Sequence, residues 1–144
     1  MIRVFEPEIT KEDINSVLKT LKKKDISGSS KIVKEFEDSL CNEFSRKYVV
    51  SVSNGSVALD MSIQLLNLQE GDEVILPSHT IISCLAAVIR SKAKPVFCDV
   101  DPKSWNMTAQ NVKEVITGKT KAVLLVHTYG LPAEAEKIIE LCLS

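Results

Sequence analysis

The sequence predicts an α/β fold, a mostly parallel sheet with helices on both faces. Three observations carry that prediction. Short runs of β-branched and aromatic residues, such as Tyr48-Val49-Val50 with Val52 and Val74-Ile75-Leu76, are bounded by Gly, Pro, Asn or Asp. Stretches with apolar residues three and four apart stand between these runs, so that strand and helix alternate four times, the pattern of parallel strands joined by crossover helices. The chemically informative residues then fall in turns at the carboxyl ends of the expected strands, where such sheets bind ligands.

Composition narrows the class. A chain of 144 residues can bury one core, and no linker-like stretch, repeat or low-complexity segment divides it. It is read as one domain or one piece of a domain. The 18 basic and 19 acidic residues are interspersed apart from Lys22-Lys23-Lys24, which argues against nucleic acid or an acidic membrane as the main partner. That lysine run sits where a first helix should end and the helix dipole favours cations. Cys41, Cys84, Cys98 and Cys142 lie far apart with no CxxC and no histidine at ligand spacing, so no metal site is expected and the thiols are read as reduced. The N-terminus, MIRVFEPEITKEDI, has no apolar signal core and no apolar run is long enough to cross a bilayer, which places the protein in the cytoplasm.

The elements follow in order. Thr10 is suited to cap a first helix with Asp13 three residues on, and Ile14, Val17, Leu18 and Leu21 give it one apolar face. Ser27-Gly28-Ser29-Ser30 is a loop, and Val33, Phe36, Leu40 and Phe44 stripe a second helix. Tyr48 to Val52 is expected to be a strand buried on both faces. Asn54 and Gly55 tolerate a left-handed turn, and Ser56 is suited to cap the helix that Val57, Ala58, Leu59, Met61, Ile63, Leu65 and Leu66 continue. A strand at Val74 to Leu76 ends at Pro77, a helix spans Ile81 to Ile89, and a third strand spans Pro95 to Val100. A helix over residues 109–116, a turn at Thr117-Gly118, a strand over 122–126 and a last helix opened by Leu131-Pro132 complete the chain.

The turn Ser53-Asn54-Gly55-Ser56 is the candidate site. A helix that starts just beyond a strand end presents unpaired N–H groups and the positive end of its dipole, a natural place for an anion and above all for phosphate. The plain structural alternative is a capped strand-to-helix turn that holds nothing. A dinucleotide fingerprint is absent, since this turn has one glycine where GxGxxG needs three, and GxxxxGK[ST] is absent too. Asp99 and Asp101 offer paired carboxylates of the kind used for acid/base work or a metal, in a turn that Asp101-Pro102 ends, and Trp105 is read as packing. His127 and Tyr129 end a strand, with His127 expected to anchor it by a hydrogen bond, and His79 fits either a site or a surface turn.

Four segments, SVSNGSVAL, GDEVILPSHTIIS, PVFCDVDPKSWNM and TKAVLLVHTYGLPAE, occur in this order and at these intervals. Together they resemble the N-terminal part of the DegT/DnrJ/EryC1/StrS family, pyridoxal-phosphate-dependent nucleotide-sugar aminotransferases of the aspartate aminotransferase fold (fold type I). The resemblance runs from about Phe5 to Leu141. It implies an N-terminal helical arm over 1–46 and, over 47–144, the N-terminal part of an incomplete large domain that binds pyridoxal 5'-phosphate. Gly55, Ser56 and the backbone of Val57 match the segment that holds the cofactor phosphate, in agreement with the helix-terminus argument. Ile81 matches a position that is usually aromatic and lies on the cofactor ring; isoleucine covers a ring by dispersion without π-stacking. Ser27 and Gly28 match a loop that approaches the sugar.

The resemblance further implies a nucleotide-linked keto sugar as substrate, glutamate as amino donor, a role in polysaccharide or glycan synthesis, and a homo-oligomer. The lysine that carries the cofactor and the acid that holds the ring nitrogen lie beyond H-x-Y-G in the family. None of Lys92, Lys94, Lys119 or Lys121 stands in the matching context, so no catalytic residue is assigned and residues 1–144 alone are expected to be inactive. Three alternatives stay open: a deoxysugar dehydratase, a non-catalytic truncated paralogue that binds a full-length family member, and an α/β domain holding another phosphate ligand at Gly55 and Ser56.

Overall fold

The computed structural model describes residues 6–143; Met1 to Phe5, where the resemblance begins, and Ser144 lie outside. The chain forms two compact units, one up to Ser51 and one from Val52 onward.

The first unit carries α1 (Lys11–Lys23) and α2 (Lys31–Glu43). The expected capping box opens α1: Asp13 N–H donates to Thr10 Oγ1 at 3.2 Å and Thr10 N–H donates to Asp13 Oδ2 at 2.7 Å. The chain leaves α1 through Lys24 in the left-handed region. The apolar stripe Ile14, Val17, Leu18 and Leu21 is exposed, as is Phe36 on α2.

The strand expected at 48–52 does not form. Tyr48 is 77% and Val50 70% exposed, and neither pairs with a neighbouring strand. A strand exists only through a partner's ladder. Here Ser51 spends both its N–H (2.8 Å) and its Oγ (2.9 Å) on Glu37 Oε1 of α2 instead.

The second unit is the α/β body. It contains α3 (Gly55–Gln64), β1 (Glu73–Pro77), α4 (Ile82–Arg90), β2 (Lys94–Cys98), α5 (Ala109–Val115), β3 (Thr120–Val123), a 3-10 turn at Thr128–Gly130 and α6 (Ala135–Leu143). The described strands form a three-stranded parallel sheet in the order β2-β1-β3. Ile75 at its centre faces Val96 on one side and Val123 on the other.

Strand alternation sends β1 side chains to opposite faces, and each face has its own core. Val74 packs with Ile63, Ala87, Val88 and Ala93 beneath α3 and α4, while Ile75 packs with Cys98, Met107, Val112 and Ile138 beneath α5 and α6. Val74, Ile75 and Leu76 are completely buried, each worth about 1.5–3 kcal/mol of transfer free energy. Pro77 is the last residue of β1, and the ladder to β2 runs one bond further, with Ser78 N–H donating to Cys98 O at 2.8 Å.

Several boundaries differ from expectation, among them the third strand, expected over Pro95 to Val100 and observed at Lys94–Cys98, and α3, which ends at Gln64 before Leu65 and Leu66. The strand expected over 122–126 is Thr120–Val123, and its pairing with β1 shifts between Glu73 and Val74, although Leu124 N–H still reaches Ile75 O at 2.7 Å. The last helix begins at Ala135 rather than at Leu131-Pro132. Tyr129 and Gly130 both have positive φ, and this reversal must finish before a helix can start.

Candidate functional site

The site is built at the start of α3. Asn54, not Ser56, is the cap: it lies in extended backbone and its Oδ1 accepts the Val57 N–H at 3.1 Å. The left-handed turn expected at Asn54-Gly55 is absent, because an extended cap leads straight into the first helical residue. Two consequences follow. The Val57 amide is already engaged, whereas the Gly55 and Ser56 amides have no acceptor among the described residues. The Ser56 hydroxyl, released from capping, shares a hydrogen bond with Ser83 Oγ at 2.8 Å.

Ser83 belongs to the second helical start at this place. It is the second residue of α4, as Ser56 is of α3, and α4 has no side-chain cap. The two helices are tied side by side, since Arg90 Nε and Nη2 donate to Asp60 Oδ1 at 3.0 and 2.6 Å and Ile63, Ala87 and Val88 pack beneath them. Their N-termini therefore open on one groove of about 530 Å³, lined by Gly55, Ser56, Ala58, Leu59, Ser62, Ile81 and Ser83. Ile81 is 67% exposed and forms part of its wall. A second hollow of about 540 Å³ lies at the other ends of these helices, around Asn67, Arg90 and Lys92, where the helices present carbonyl ends rather than N-terminal amides.

Gly55 has ordinary helical backbone, and a Cβ added there would meet nothing within 4 Å. The fold itself does not require glycine at this position; its absent side chain leaves the free amides open to whatever enters the groove. Unpaired amides, a positive helix end and two hydroxyls beside an apolar wall suit an anion attached to an apolar group.

The other sequence candidates have structural duties. Asp101 accepts Lys103 N–H at 3.0 Å and both Ser104 N–H (2.7 Å) and Ser104 Oγ (3.0 Å), and these bonds hold its carboxyl below the usual range, Ser104 contributing most. His127 does not end the strand, which stops at Val123; its Nδ1 accepts Ala133 N–H at 3.0 Å and so holds the turn before α6 instead. Trp105 differs from the packing expected: it is 48% exposed with positive φ and meets the ring of His79 edge-on at 4.9 Å. Ser27 and Gly28 lie in the first unit, where Ser27 Oγ accepts the Ser29 N–H at 3.2 Å. Burial, and secondarily the Asp99 charge, pushes the Cys98 thiol up to about 11. No group of three or more His, Cys, Asp and Glu side chains suited to a metal occurs among the described residues, and no described helix is long and apolar enough to cross a membrane.

Neither Ser83 nor Asn106 stands out in the sequence, although both lie within the segments that carry the resemblance. Ser83 carries no local signal, because the partner of its hydroxyl is 27 residues away. Asn106 carried none, because its buried contacts span distant turns.

Comparison with known proteins shows the family of the chain as a whole. GDP-perosamine synthase of Escherichia coli O157:H7 is 36% identical over 143 residues, covering 99% of this chain and 39% of that protein. The crystal structure of the aminotransferase TlmJ from Streptoalloteichus hindustanus superposes with a TM-score of 0.90 at 36% identity, over 99% of this chain and 39% of that one. The GDP-4-keto-6-deoxy-D-mannose-3-dehydratase of E. coli, solved with bound hydrated pyridoxal phosphate, superposes with a TM-score of 0.85 at 26% identity, over 94% of this chain and 36% of that one. The chain thus spans about two fifths of the length of the relatives it matches. The match to the DegT/DnrJ/EryC1/StrS aminotransferase family itself extends over residues 7–144, and the chain belongs to that family.

Proposed function

We propose that residues 1–144 are the N-terminal part of a nucleotide-sugar aminotransferase, with residues 1–46 as a helical arm and residues 47–144 as the cofactor-binding side of the large domain. The observation that carries this reading is the pair of free amides at Gly55 and Ser56 opening on the groove walled by Ile81. Those amides and the Ser56 hydroxyl hold the phosphate of pyridoxal 5'-phosphate, and Ile81 lies against a ring face. The Val57 amide, engaged by Asn54, orients the turn rather than touching the anion. When bound, the cofactor supplies an electron-accepting ring for amine exchange. Ser27 and Gly28 approach the sugar. The substrate is a nucleotide-linked keto sugar, the amino donor glutamate, the setting cytoplasmic glycan synthesis, and the working form a homo-oligomer.

The chain's own residues bind and orient; none of its lysines stands in the context that the family resemblance implies for the cofactor lysine. Equilibrium dialysis tests the binding side: residues 1–144 retain pyridoxal phosphate more tightly than pyridoxal. Equal retention of the two overturns the reading. Incubation with a 4-keto nucleotide sugar, glutamate and the cofactor tests the other side, and formation of amino sugar by residues 1–144 alone contradicts the assignment of catalysis to groups outside them.

The likeness to the E. coli dehydratase favours a second reading, a deoxysugar dehydratase that uses the same cradle. Identifying the residue at the cofactor lysine's place in the natural gene product separates the two, lysine supporting amine transfer and histidine dehydration.

A further inference from the structure

Two hydroxyls joined by one hydrogen bond carry two protons, and the bond uses one of them. The Ser56 and Ser83 oxygens are 2.8 Å apart across a sequence separation of 27 residues, so a proton is left over at the mouth of the groove. Neither hydroxyl caps its helix, since α3 is capped by Asn54 and α4 has no side-chain cap. Ser62, on the same groove, behaves differently: its Oγ donates to Ala58 O at 2.8 Å and is spent on its own helix. Ser56 also presents a free amide beside its hydroxyl, so an anion at α3 meets both groups of one residue.

We propose that Ser83 is a positioning residue for the anion site: its hydroxyl donates to Ser56 Oγ, fixes the Ser56 rotamer and directs the Ser56 proton at the phosphate. A chain of hydrogen bonds polarises along its length, so the Ser56 donation is stronger than that of a lone serine. The two helix starts are coupled by this bond, and Ser83 acts from α4 on an anion held at α3. The inference rests on the cofactor reading above.

Dialysis of pyridoxal phosphate and of pyridoxal against the wild-type chain, Ser83→Ala, Ser83→Thr, Ser56→Ala and the double alanine variant tests it. The expected result is a loss of about twofold to tenfold in pyridoxal phosphate affinity for Ser83→Ala, the worth of one hydrogen bond, with pyridoxal binding unchanged. Ser83→Thr restores the affinity, and Ser83→Ala adds nothing once Ser56 is alanine. Wild-type affinity in Ser83→Ala overturns the inference alone, as do additive losses in the double variant, which make Ser83 a direct ligand. A wild-type chain that binds pyridoxal phosphate no better than pyridoxal overturns the cofactor reading and the inference together.

Discussion

Asn106 holds the turn at Thr128: its Oδ1 accepts the Thr128 N–H at 2.9 Å while its Nδ2 donates to Leu131 O at 2.9 Å. The turn between these two bonds contains Tyr129 and Gly130, both at positive φ, so one side chain brackets the sharpest reversal after β3. Asn106 is only 3% exposed. Its replacement by alanine leaves two backbone groups to find water at a packed site. Asn106→Ala is expected to lower stability by about 2–3 kcal/mol. Urea unfolding checks this, and an unchanged midpoint contradicts the bracket.

Glu73 performs a similar duty at the opposite ends of the strands. Thr117 Oγ1 donates to its carboxylate at 2.6 Å and Lys94 Nζ lies 2.9 Å away, and these two, the Thr117 hydroxyl first, hold the carboxyl below its ordinary value of 4.5. A carboxyl depressed in the folded state stabilises the fold above the unfolded value, and that stability is lost as pH falls through the lowered folded one. Unfolding midpoints measured from about pH 6 to about pH 3 are therefore expected to fall more steeply for the wild-type chain than for Glu73→Gln. Parallel curves would show that Glu73 is not linked to folding in this way.

The cap at Asn54 links fold and site. Asn54→Ala frees the Val57 N–H and is expected to cost about 1 kcal/mol of stability. Asn54→Ser retains a capping oxygen and most of that stability. Thermal melts of the two variants side by side check the ordering.

Ile81 departs from the aromatic residue that the family resemblance leads one to expect. Ile81→Phe offers the cofactor ring a π-face worth about 0.5–1.5 kcal/mol beyond area, so this variant is expected to bind pyridoxal phosphate more tightly. Weaker or unchanged binding in dialysis removes Ile81 from the ring contact.

The cysteines report burial directly. With its thiol pushed up to about 11, Cys98 is about one thousandth thiolate at pH 8. Iodoacetamide at that pH is expected to label exposed Cys142 and to spare Cys98 and Cys84 until the chain unfolds. Mass spectrometry of labelled peptides reads the order, and early labelling of Cys98 contradicts its place in the core.

Much of this protein is written in local pattern. The alternation of apolar runs with helical periods determined the α/β class, Thr10 and Asp13 determined the start of α1, and Val74-Ile75-Leu76 determined the central strand, because each depends on neighbours within a few residues. The four ordered segments were enough to point to the family. Tertiary structure decided what depends on distant partners. Tyr48 to Val52 has strand composition yet no ladder, since pairing is a property of two segments and Ser51 bonds Glu37 instead. Asn54 rather than Ser56 became the cap because the chain enters α3 two residues earlier than the pattern suggested, and that shift left the Ser56 hydroxyl to meet Ser83, 27 residues away. Sequence named the turn where an anion would bind, and the packing of α3 against α4 decided which atoms face it.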